Sequence, residues 1–142
     1  MSWVVDTCIV LDVLEADAEF GLPSAKLLEK CLPEGLSVCP ITYIELAPAF
    51  DGNGEEQRKF LGQAGIDYQS GWTVLDTEAA NQAWHRHVTA RRQGALAKRP
   101  IADVLIGAYA SNRSGLITRN ADDFWKKTFP NLEILEPGVR RA

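Results

Sequence analysis

Five short apolar runs punctuate the chain: Trp3–Val5 (WVV), Leu36–Val38 (LSV), Trp72–Leu75 (WTVL), Gly115–Ile117 (GLI) and Leu132–Leu135 (LEIL). None is long enough to form a helix. The stretches between most of them carry apolar residues at helical spacing, as in "TCIVLDVLEA", "PSAKLLEKCL" and "IADVLIGAYA". Short buried strands alternating with helices specify an α/β chain, a three-layer α/β/α sandwich around a mainly parallel sheet. With 142 residues, 46% of them hydrophobic, the chain suffices for a single domain over 1–142 with a sizeable core.

Local signals set the expected boundaries. Thr7 is a candidate cap for the first helix, and Pro23 and Ser24 open the second. "ITYIELAPAF" is a helix bent or ended by Pro48. "GWTVLD" is expected to be a strand, with Thr77 capping the long helix "TEAANQAWHRHVTARRQG" after it. Arg91 and Arg92 suit the negative end of that helix, and Pro100 suits the first turn of the next.

Ligands of such sheets bind beyond the carboxyl ends of the strands. Asp6 ends the first strand, Asp76 follows "WTVL", and Asp122 and Asp123 follow "GLITR". Glu45 and Asp103 lie among apolar neighbours on helices. Each acid alone also fits a cap or a solvated edge. Asp12, Glu15, Asp17 and Glu19 are expected to form a solvated acidic face. Carboxylates gathered in one place repel one another, and a hard divalent cation such as Mg2+ or Mn2+ relieves that repulsion.

Three ordered stretches, "VVDTCIVLDVLE", "ITYIELAPAF" and "RPIADVLIGAYASNRSGLITRNADDF", resemble the PIN-domain nucleases, especially the VapC-type toxins of toxin–antitoxin pairs. The resemblance spans nearly the whole chain. It implies a PIN-like fold and Mg2+- or Mn2+-dependent hydrolysis of RNA phosphodiester bonds. Carried over by residue, it implies that Asp6, Glu45, Asp103 and Asp123 are the catalytic and metal-binding acids. Thr7, Thr118 and Asn120 would be accessory groups, with Asn120 standing where many relatives have Asp. The resemblance further implies a homodimer and a cognate VapB-like antitoxin.

The net charge of −4 predicts no bulk attraction to nucleic acid, so RNA contact calls for a local basic face. Arg92, Lys98, Arg99 and Arg119 are the candidates, Arg119 first because it adjoins the turn carrying Asp123. His85 and His87 do not share a helix face and are expected on the surface rather than in a metal site. Asp6-Thr7-Cys8 lacks the Asp-x-Asp of an aspartyl-phosphate hydrolase, which argues against phosphotransfer. The competing reading is a non-catalytic PIN-like module that binds RNA or protein. Cys8, Cys31 and Cys39 form no C-x-x-C pair, and the first residues have no basic n-region. Both point to a reduced, cytoplasmic chain without membrane attachment.

Overall fold

The structure, a computed structural model, describes residues 1–94 and 101–138. Strands β1 (Trp3–Val5), β2 (Leu36–Ser37), β3 (Ile66–Asp67), β4 (Gly115–Ile117) and β5 (Ile134–Leu135) form one sheet. Their order is β3-β2-β1-β4-β5, and every neighbouring pair is parallel. The helices are α1 (Thr7–Leu14), α2 (Gly21–Cys31), α3 (Pro40–Glu45), α4 (Gly54–Gln63), α5 (Val74–Arg92) and α6 (Ile101–Ser111). Short 3-10 turns at Leu32–Glu34, Ala47–Phe50 and Ala121–Asp123 complete the described elements.

Because side chains alternate across a strand, the sheet sorts its apolar residues into two cores. Val5, Leu36, Ile66 and Ile117 face one side, where Ile9 and Val10 of α1, Leu28 of α2 and Leu61 of α4 meet them. Val4 and Leu116 face the other, against Val104, Ile106 and Tyr109 of α6 and Ala83 of α5. The sheet thus lies between two helical layers, the sandwich expected from the alternation of runs.

The packing of α6 depends on a missing side chain. A Cβ built on Gly107 falls within 3 Å of the Phe129 ring, which fills that space. Gly107→Ala is therefore expected to cost about 1–3 kcal/mol by overpacking. Urea denaturation should show it as a lower midpoint with an unchanged m-value.

One strand differs from expectation. "GWTVLD" is not a strand: Thr73 caps α5, which begins at Val74, and Thr77 lies inside the helix. Thr73 and Asp76 form a reciprocal capping box, and Val74 and Leu75 are 77% and 72% exposed. The run is apolar, but its helix-start chemistry prevails. The third strand is instead Ile66–Asp67, whose backbone pairs with β2.

From β1 the chain builds the sheet outward through β2 and β3, then returns to add β4 and β5 on the other side. The order reverses between β1 and β4, and such a switch point leaves a crevice beyond the carboxyl ends of those two strands. Asp6 follows β1 and Thr118 follows β4, so both stand at that crevice. α6 feeds β4 through a short turn and packs on it, so its first turn, with Asp103, lies toward the same edge of the sheet.

Candidate active site

Asp6 is the centre of the crevice. It is extended (φ −70°, ψ 153°) and caps α1, its Oδ1 accepting from the Thr7 N–H at 2.8 Å. Its Oδ2 accepts from the Thr118 hydroxyl at 2.7 Å and from the Cys8 thiol at 3.5 Å. The Thr118 hydroxyl in turn accepts the Asn120 N–H at 3.0 Å, which ties the turn after β4 to the first strand. On the outer rim, the Thr7 hydroxyl donates to Glu45 Oε1 at 2.8 Å and lies 3.1 Å from the Thr42 hydroxyl.

Asp6 is only 7% exposed. Burial pushes its carboxyl above the usual carboxylate value, and the hydrogen bonds from Thr118, Thr7 and Cys8 pull it back. The Glu45 carboxylate, near enough to be felt, raises it further. Burial and then the Asp6 charge also push the Cys8 thiol up to about 12, so the thiol stays protonated and can donate to Asp6.

Sequence and structure thus bring Asp6, Thr7, Glu45, Thr118 and Asn120 into one connected network. Asp103 stands in the first turn of α6, and Asp123 in the 3-10 turn directly after Asn120. Among the described residues, no three His, Cys, Asp or Glu side chains form a group poised to hold a metal ion. The donor chemistry around Asp6 nevertheless suits a hard cation. The groups are carboxylate and hydroxyl oxygens, and Mg2+ keeps several waters while using one or two carboxylates. A raised carboxyl beside a second acid is also the state that a divalent ion relieves.

A family model for the PIN domain matches residues 3–129. The chain belongs to the PIN-domain family. Among solved structures, it is similar to the VapBC2 assembly of Rickettsia felis, solved bound to a DNA fragment from their promoter. The TM-score is 0.69 at 16% identity, over 96% of this chain and 98% of that one. No curated protein matches the chain.

Several expected roles change within this PIN domain. Asp12 is not part of a solvated face: it is 5% exposed, and its Oδ2 lies 2.6 Å from Arg119 Nε. Arg119 also lies over the Phe20 ring, with its Cζ 4.8 Å from the centroid. Arg119, the first candidate for phosphate contact, therefore also anchors the turn after β4 to α1. Asp76 does not stand at a strand end. It is fully buried in the first turn of α5, where Arg113 Nη1 and Nη2 approach it at 2.8 and 3.2 Å and Asn112 donates at 3.0 Å.

His87 is 3% exposed and stacks against Trp84, while His85 is exposed. The surface expectation thus fails for His87, because α5 turns that face toward the core. Arg92 is exposed in the last turn of α5. Lys98 and Arg99 lie outside the described residues. Cys8 and Thr42 are the network members that sequence reasoning missed. Thr42 carried a usable signal, standing one turn before Glu45 in the same helix.

Proposed function

We propose that this PIN domain is a Mg2+- or Mn2+-dependent endoribonuclease, the toxin of a VapBC-type pair, acting as a homodimer in the cytoplasm. The observation that carries the reading is the buried, donor-wrapped Asp6 carboxylate at the strand-order switch, with Glu45 on its rim. The Rickettsia felis neighbour is a VapBC assembly, which supports a VapB-like antitoxin as the partner here. No helix among the described residues is long and apolar enough to cross a membrane.

In this reading Asp6 and Glu45 would hold the ion, with Asp103 and Asp123 as further candidate ligands. When bound, the ion supplies Lewis-acid polarisation of the phosphate and orients the attacking water. The chain's own groups do the rest. Thr7, Thr118 and Cys8 fix the Asp6 carboxylate in one orientation, so little reorganisation is needed as charge develops. Thr7 donates to one oxygen of Glu45 and so holds that carboxylate on the rim beside Asp6. The water oxygen bonds to phosphorus as its proton passes to solvent, the P–O ester bond breaks, and the departing oxygen takes a proton from solvent.

Incubating the purified chain with end-labelled single-stranded RNA tests this reading. Cleavage should require Mg2+ or Mn2+, fall to background in EDTA, and return when the metal is restored in excess. The sparse carboxylate grouping among the described residues favours one other reading, a PIN-like module that binds RNA or protein without cutting. That reading predicts retention of intact RNA under every metal condition.

A further inference from the structure

Three of the four tryptophans are engaged inside the molecule. Trp3 Nε1 donates to Glu34 at 2.9 Å, Trp72 Nε1 donates to Thr77 at 2.7 Å and its ring stacks on Tyr109, and Trp84 stacks on His87. Trp125 is different. It is 37% exposed, and among the described residues its indole has neither a ring partner nor a hydrogen bond. Lys126 and Lys127 follow it, both exposed and neither in an ion pair among the described residues.

These three side chains line an open groove of about 660 Å3, together with Phe124, Ile134 of the edge strand β5, and Asp122. That volume is within the ~300–1,000 Å3 of small-molecule clefts and admits a nucleotide. The groove starts on the Ala121–Asp123 turn, the same turn that Asn120 and Thr118 connect to Asp6.

We propose that this groove is a binding subsite for single-stranded RNA next to the scissile phosphate, with a base stacked on Trp125 and flanking phosphates held by Lys126 and Lys127. The proposal rests on the ribonuclease reading above. An exposed aromatic face beside exposed ammonium groups is the combination that holds single strands with little sequence preference. In a chain whose net charge is −4, two adjacent lysines without an ion pair among the described residues, against the single Asp122 carboxylate of the groove, are a local feature suited to a polyanion. The groove shares Ala121 and Asp122 with the turn that carries Asp123, so a strand lying in it would end beside that turn.

Fluorescence anisotropy with a labelled single-stranded oligoribonucleotide in EDTA reads binding without cleavage. Trp125→Ala should weaken binding by roughly tenfold or more, and Trp125→Phe should recover most of it. Lys126→Ala with Lys127→Ala should lower the slope of log K against log salt by about 1.4, two phosphates at ~0.7 each on a single strand. Unchanged affinity and salt slope in all three variants would overturn the subsite. So would variants that keep RNA binding but lose a protein partner.

A cleavage assay in Mn2+ separates the two readings. If the unaltered chain cuts RNA and the groove variants raise KM with kcat intact, both stand. If it cuts and the variants do not differ from it, only the groove is wrong. If it binds through Trp125 and never cuts, the groove stands only as a single-strand RNA site, with no scissile phosphate beside it, and the nuclease reading fails.

Discussion

Asp6→Asn is expected to lower RNA cleavage by about 10²–10³-fold or more while leaving the fold intact or slightly more stable. The loss follows from removing the negative charge that would hold a cation, since an amide of the same shape binds Mg2+ poorly. Retention of the fold follows from the hydrogen bonds. Asn caps helices about as well as Asp, and its carbonyl can still accept from the Thr7 N–H or the Thr118 hydroxyl. The gain in stability has a definite sign. A carboxyl raised in the folded state binds its proton more tightly there than in the unfolded chain, so ionising it as pH rises costs stability. Asparagine has no such ionisation, so the variant's melting temperature at pH 7, without metal, should equal or exceed that of the unaltered chain. Activity and thermal melting measured on one preparation check both halves. Full activity, or collapse of the fold, would remove Asp6 from the role given to it.

Arg113→Met is expected to destabilise the protein by about 3–5 kcal/mol at pH 7, because it leaves the buried Asp76 carboxylate without its cation. Burial alone would raise the Asp76 carboxyl. The hydrogen bonds from Arg113, Asn112 and the Thr73 backbone, with the Arg113 charge, instead hold it below the usual carboxylate range. A depressed carboxyl contributes stability that is complete above the unfolded value of about 3.9 and is lost as pH falls through the lower folded value. The variant reverses this pattern. Without the Arg113 cation the buried Asp76 charge costs stability and its protonation relieves that cost, so the deficit should shrink as pH is lowered toward 4. The guanidinium also lies 3.3 Å from the Tyr109 ring centroid, so some of the loss is packing on the ring. Denaturant titrations of both proteins at pH 7 and pH 4.5 measure the deficit and its direction.

How much of this was legible depended on whether the relevant partner was near in sequence. The apolar runs at Trp3–Val5 and Gly115–Ile117 are fully or partly buried strands flanked by polar residues, and they stood out as such. Asp6 stood out for the same reason, an acid placed where a parallel strand ends. Ile66–Asp67 did not, because a two-residue strand with one buried side chain owes its existence to the ladder offered by β2. "GWTVLD" has the apolar content of a strand, but its Thr73-x-x-Asp76 spacing is that of a helix start.

The pairs Asp12–Arg119 and Asp76–Arg113 join distant segments, and nothing local in either acid's surroundings announces the arginine. For the same reason the sequence named carboxylates for the site but not the Thr42 hydroxyl or the Cys8 thiol around them. The gathering of acids came from resemblance to the PIN family. The structure adds the network that links Asp6 to Glu45 on one side and to Asn120 on the other.

The most direct measurement is a crystal of the chain soaked in Mn2+ and recorded at the manganese absorption edge. The account predicts an anomalous peak at coordination distance from the Asp6 carboxylate, on the side facing Glu45, with Asp103 and Asp123 reaching it directly or through water. The peak should vanish in Asp6→Asn. A well-occupied manganese elsewhere with none at Asp6, or a peak at the crevice that survives Asp6→Asn, would contradict it.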